Sequence, residues 1–286
     1  MKSKDGDDIK NKAYEELHAE FIKKMKMIPQ DCLPAVGYWF AFSKIQKSRI
    51  ALTNQLFQVN GAKEGKKVFW TDILPADVLE GMTSYYSITI GAKKAIYDEL
   101  KKQLKESDTD FDMPDIYKPL TSVEDSLARK IDKHLRESKW FNEVLTPALD
   151  GSGGVGGILA VPLLISIADA KRFPSFGRLV SYAGLDVTPE GKAPKRQKGK
   201  AFHKNALLRK TLFLITESWN KMPECKWRIM WDEYKKWYTE NRPEILLEKN
   251  SEGKPCGKGH IMNMARRKVQ REFLRNLYHQ WYEWEG

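Results

Sequence analysis

Residues 150–170 read DGSGGVGGILAVPLLISIADA, a cluster of glycines running straight into an apolar segment. The apolar run from Val155 to Ile167 is too short to span a bilayer and reads as a buried helix. Gly154-Val155-Gly156, with Ala160 four residues on, fits the G-h-G-x-x-x-A pattern of a helix-hairpin-helix turn. Glycine lets the backbone take positive φ and lets another chain come close. The start of the following helix carries N–H groups and the positive end of a dipole, which suit a phosphate. Gly154 and Gly156 are therefore candidate binding positions. On the glycines alone, a tight turn between packed helices with nothing bound is the simpler reading. A P-loop is excluded, because Gly157-Ile158 stands where a Lys-Ser/Thr pair is required.

Outward from this hairpin the chain continues KRFPSFGRLVSYAGL and then becomes strongly basic. Lys192, Lys195, Arg196, Lys198, Lys200, Lys204, Arg209 and Lys210 fall in nineteen residues without one acid. Like charges this dense repel one another unless an anion neutralises them, and polyphosphate is the usual anion. His203 and Asn205 add donors, and Pro194 and Gly199 add turns, suited to a folded RNA backbone. A solvated loop of a basic protein is the alternative. The adjoining glycine hairpin and the basic balance of the whole chain favour nucleic acid.

The 286 residues suffice for a sizeable core in one or two domains. A formal charge of +11 and a pI near 9.3 favour an acidic partner. Cys32, Cys225 and Cys256 are far apart and odd in number, without C-x-x-C spacing, which argues against a disulfide framework or a zinc site. The first residues lack the apolar core of a signal peptide, so a soluble, intracellular, cytoplasmic chain is expected, with no membrane partner.

The periodicity predicts a mostly α fold. N-terminal helices occupy 1–75, the second of them from about Tyr38 to Val59, with Lys44, Lys47 and Arg49 on a solvated face. Residues 76–149 read as a long antiparallel helical hairpin, a coiled-coil-like arm. Its helices are Ala76 to Glu106 and Ser122 to Leu149, the second opening on a capping-box-like Ser122-Val-Glu-Asp125. Such an arm suits homodimerisation, and an ordinary two-helix part of one core is the alternative. Residues 150–286 form a further helical domain, with helices near His203 to Asn220, Cys225 to Tyr238 and His260 to Trp281, and room for a short β-hairpin between Gly184 and Gly199. Basic and aromatic residues interleave at Lys226-Trp227-Arg228 and Tyr234 to Trp237, which suits stacking or a plain amphipathic core.

Phe173, Phe176, Leu179, Tyr182, Ala183, Gly184, Leu185, Gly199, Asn205, Leu208 and Arg209 together resemble the C-terminal domain of bridge-RNA-guided insertion-sequence transposases. The closing GKGHIMNMARRKVQREFLRNLYHQW is similar to the Tas proteins of tandem interspaced guide RNA systems, through His260, Asn263, Ala265, Arg266, Arg267, Lys268, Phe273 and Leu274. Those proteins resemble the Nop domain of box C/D ribonucleoproteins. The chain departs from the transposases where they carry a catalytic serine, since Thr188-Pro189-Glu190-Gly191 stands there. No strand bearing the acids of a RuvC-like nuclease is legible either, so a Tas protein of the type without a nuclease is the nearer resemblance.

That resemblance implies a Nop-like RNA-binding domain over 150–286, with a folded guide RNA and a target DNA as partners. It also implies a homodimer, a separate effector or nuclease, and a prokaryotic or virus-encoded origin. No catalytic residue, metal ligand or cofactor is expected. His260, Asn263, Arg266, Arg267 and Lys268 join Lys192, Lys195, Arg196, Lys198, Lys200, His203, Lys204, Asn205 and Arg209 as candidate nucleic-acid contacts. A transposase-like or recombinase-like enzyme with an unrecognised active site, and an RNA-independent DNA-binding protein, stay open as alternatives.

Overall fold

The computed structural model describes residues 15, 19–62, 113–187, 204–247, 253, 255 and 257–285, with backbone alone at 52–62 and 113–118. The fold is mostly α, as expected, and no sheet occurs among the described residues. The first expected arm helix, Ala76 to Glu106, and most of the segment offered for a β-hairpin lie outside them. No helix among the described residues is long and apolar enough to cross a membrane. The chain divides into two compact units, Met1–Leu33 with His134–Gly286, and Pro34–Lys133.

The smaller unit is built on α1 (Leu33–Ala62) and α2 (Met113–Arg136). Lys130 lies over the Tyr38 ring at 5.3 Å and Arg49 pairs with Glu124. The two contacts run in opposite order along the helices, which are therefore antiparallel. Arg49 is not on a solvated face as expected. Its side chain is 3% exposed and grips Glu124 through Nε–Oε1 at 2.5 Å and Nη2–Oε2 at 3.2 Å. Lys44 and Lys47 do face solvent. A helix face read from one chain segment cannot show an acid that arrives 75 residues later.

The expected Ser122–Leu149 helix is divided. Its helix begins earlier, at Met113, because Pro114 needs no donor in the first turn and Pro119 removes only one internal hydrogen bond. It ends at Arg136 because side chains take over backbone groups around Ser138. Ser138 Oγ donates to Leu135 O at 2.6 Å, and Asn142 Nδ2 donates to Arg136 O at 2.8 Å. Asp31 accepts from the Lys139 N–H at 2.7 Å. A π-helical turn (Trp140–Leu145) and a single turn, α3 (Thr146–Leu149), follow within the larger unit.

The larger unit continues with α4 (Gly157–Ile167), α5 (Phe176–Tyr182), α6 (Ala206–Asn220), α7 (Lys226–Asn241) and α8 (Gly257–Glu283). Helix α4 is buried around most of its circumference, as its unbroken apolar run requires, and packs on α6. Helix α8 is the axis of the core and touches α7, α6, α5 and the π-helical turn. Ile261, Ala265, Val269, Phe273, Leu277 and Trp281 are buried along it at helical spacing. Trp219 and Trp227 stack at 5.3 Å and both set an edge against Phe273, at 5.2 and 5.7 Å. Each such ring contributes about 1.5–3 kcal/mol by burial, so this cluster fixes α6, α7 and α8 as one body. Cys32 is fully buried, and burial pushes its thiol up to about 12. That thiol stays protonated and unreactive.

Candidate nucleic-acid interface

The glycine hairpin is bolted to α6. Gly154 has φ +90, and a Cβ there would lie 3.0 Å from Met222 Sδ and 3.2 Å from both Ser218 Oγ and Trp219 Cδ1. Only glycine satisfies that backbone and that space together. Ser218 Oγ donates to Gly154 O at 2.7 Å, and Trp219 Nε1 donates to Gly153 O at 3.1 Å. Gly156 is the N-cap of α4 in extended conformation, without a side-chain cap. The side chains nearest Gly154 are neutral, and the nearby Asp150 is tied to Lys226.

The second turn, Gly184–Asp186, gathers cations instead. Tyr182, Asn205 and Arg209, among the described residues behind the transposase resemblance, meet near it. Asn205 caps α6 by accepting from Leu208 N at 2.8 Å. It also donates through Nδ2 to Tyr182 Oη at 2.6 Å, and through its backbone N–H to Tyr182 O at 2.8 Å. Tyr182 in turn donates to Ser166 O at 3.2 Å and lies 5.3 Å from the Phe173 ring. The Arg172 guanidinium sits over both rings, at 4.5 Å from Phe173 and 4.9 Å from Tyr182. The main-chain direction after α5 is thus set by a chain of bonds from α4 through Tyr182 to the cap of α6.

Gly184 has φ +71, and a Cβ on it would meet Lys204 Cδ at 3.2 Å and Arg209 Cδ at 3.5 Å. Arg267 Nη2 donates to Gly184 O at 3.3 Å and to Asp186 O at 3.0 Å. Lys204 pairs with the Asp186 carboxylate. Arg209 is exposed, Arg271 is half-buried one helical turn beyond Arg267, and neither forms an ion pair among the described residues. Burial holds Arg267 below the usual guanidinium range, and repulsion from Arg209 and Arg271 adds to this against the pull of Asp186. Lys204, Arg209 and Arg267 thus gather at the turn, where Lys204 already occupies the Asp186 carboxylate, and Arg271 follows one helical turn beyond Arg267.

The other candidates separate. Arg266 turns inward. It is 8% exposed, pairs with Glu217 at 2.5 Å, donates to Asn263 Oδ1 at 2.9 Å and lies over Phe213 and Trp231. The backbone-phosphate contact expected of it is corrected to a core role, since its charge is spent on an acid of α6. Asn205 likewise acts here as a cap. His260, Asn263 and Lys268 are exposed on α8. Lys192, Lys195, Arg196, Lys198, Lys200 and His203 lie outside the described residues. Arg271, absent from the candidate contacts, is placed with the cluster by its i+4 spacing from Arg267, a signal the sequence held. No group of His, Cys, Asp or Glu placed to hold a metal ion occurs among the described residues.

No curated protein and no solved structure matches the chain. Residues 147–230, less than a third of its length, match the model of the Transposase IS116/IS110/IS902 family. That stretch runs from α3 through both glycine turns into α7, and over it the chain is related to these transposases.

Proposed function

We propose that the chain is the guide-RNA-binding protein of an RNA-guided DNA-targeting complex and carries no nuclease of its own. The observation that carries this is the set of cations at the Gly184–Asp186 turn, which lies at the root of the Lys192–Lys210 basic segment and within the stretch related to transposases. Basic groups held on helices beside a longer basic segment are the footprint of a nucleic-acid backbone. The absence of a serine in Thr188-Pro189-Glu190-Gly191, where related transposases act, favours binding over strand exchange. The closing helix supports the finer assignment to Tas proteins by its resemblance to them. In this reading base pairing between guide and target supplies sequence choice, and the protein reads shape and charge. Two copies of the chain pair, and a separate effector acts on the opened DNA in the cytoplasm.

The test is to express the chain with its native flanking locus, purify it and sequence the RNA that travels with it. A defined small RNA protected from nuclease is the expected result. Clean protein, or random host RNA removed by moderate salt, would overturn the reading. The family match itself favours a second reading, a transposase-like enzyme. Metal-dependent DNA cleavage that is lost on changing a single acid, with binding intact, would establish that one.

A further inference from the structure

We infer that the Gly184–Asp186 turn is the floor of a discrete phosphate site, in which Arg209 and Arg271 grip one phosphodiester of the bound RNA and Arg267 is the positioning residue between them. The inference rests on the guide-RNA reading and narrows it from a basic surface to three named side chains.

Arg267 is fixed before any ligand arrives. Its Nη2 holds the carbonyls of Gly184 and Asp186, and its remaining N–H groups have no protein acceptor among the described residues. Arg209 lays its stem beside Gly184, its Cδ 3.5 Å from where a Cβ would stand, an ordinary van der Waals distance. Arg271 flanks Arg267 from the next turn of α8. The nearby carboxylates are engaged elsewhere. Asp186 is held by Lys204, Glu217 by Arg266 and Glu272 by Arg275. Three guanidiniums without a free acid among the described residues repel one another in the unliganded protein, and an anion between them removes that cost. Guanidinium forks match the non-bridging oxygens of a phosphate in two parallel hydrogen bonds. A polyanion suits the site better than a small free anion, because the chain leaves the turn directly into the segment bearing Lys192, Lys195, Arg196, Lys198 and Lys200.

Asp186 makes the inference sharply testable. Its carboxylate is the one negative charge in the cluster among the described residues, while its contact to Arg267 is made by the backbone. Asp186→Asn therefore leaves the floor in place and raises the positive field.

The experiment measures binding of the full chain to a synthetic copy of its co-purified RNA, by fluorescence anisotropy across a salt series. Arg209→Ala and Arg271→Ala are each expected to weaken binding about tenfold and to lower the salt slope by about 1. Arg209→Lys should recover part of the loss, and Asp186→Asn should bind more tightly than the parent. Lys139→Ala, an exposed cation away from the turn, should bind as the parent does. If Arg209→Ala and Arg271→Ala fold normally and bind like the parent, the phosphate site is refuted while the guide-RNA reading stands. Weaker binding of Asp186→Asn would refute it too. If the parent protein itself holds no RNA, both fall together.

Discussion

Gly154 and Gly184 both sit at positive φ, within one stretch related to transposases, and each carries a turn between helices. What surrounds them differs in kind. Around Gly154 stand Met222, Ser218 and Trp219, and the carbonyls of the turn are used up by a hydroxyl and an indole of α6. Around Gly184 stand Lys204 and Arg209, with Arg267 bonded to the carbonyls on either side of Leu185. A positive-φ glycine reports only that the backbone must turn there. Whether the turn packs or binds is decided by the side chains that other helices bring to it. The glycine-dense hairpin is thus the structural turn, and the turn with one glycine is the charged one.

Variants that damage one turn should leave the other's property intact. The largest effect is expected for Trp219→Ala, which removes the indole stacked on Trp227 and the donor to Gly153 O. A loss of about 4 kcal/mol is expected from a cavity of this size, read by urea unfolding, with unchanged RNA affinity in the protein that remains folded. Glu217→Gln comes next. Glu217 precedes Ser218 on α6 and neutralises Arg266, whose neighbour Arg267 serves the other turn. Leaving Arg266 buried without its partner should cost about 3 kcal/mol and lower the thermal midpoint. The salt slope of RNA binding should not move, which would separate the inward arginine from the outward one.

That pair shows how far spacing could be read. The helices α6, α7 and α8 were legible within a few residues because their apolar residues recur at helical intervals. Arg266 and Arg267 looked alike in the sequence. Yet Arg266 lies four residues before Gln270 and seven before Phe273, on the buried stripe, and that phase marked it as internal. Which acid meets it could not be read, because Glu217 is 49 residues away. Arg49 repeats the case with Glu124. The division of the expected Ser122–Leu149 helix was hidden for a similar reason. Ser138 and Asn142 are ordinary helix-surface residues until their side chains are seen to take Leu135 O and Arg136 O. Periodicity shows which face is apolar, and it is blind to the hydrogen bonds and charges supplied by another element.

The turns themselves give the two smaller effects. Gly154→Ala must adopt φ +90 and place a Cβ against Met222, Ser218 and Trp219. Left-handed strain and crowding together should cost about 2 kcal/mol, measured as a shift in the urea midpoint without change in slope, and RNA affinity should be retained. Loss of RNA binding from this variant at full folding would return the hairpin to a binding role.

Gly184→Ala should cost least in stability, about 1 kcal/mol, because the atom it crowds is on the flexible stem of Lys204, which can move aside. Its effect on binding should be the greater one. Shifting Lys204 and the Gly184 carbonyl disturbs both a cation and the anchor of Arg267, so RNA affinity should fall several-fold with a shallower salt slope. Thermal melting and salt-dependent anisotropy on the same preparation check both halves. A stable Gly184→Ala protein with unaltered RNA affinity would mean that this turn is as purely structural as the first. The cations around it would then be a consequence of the basic surface and not its function.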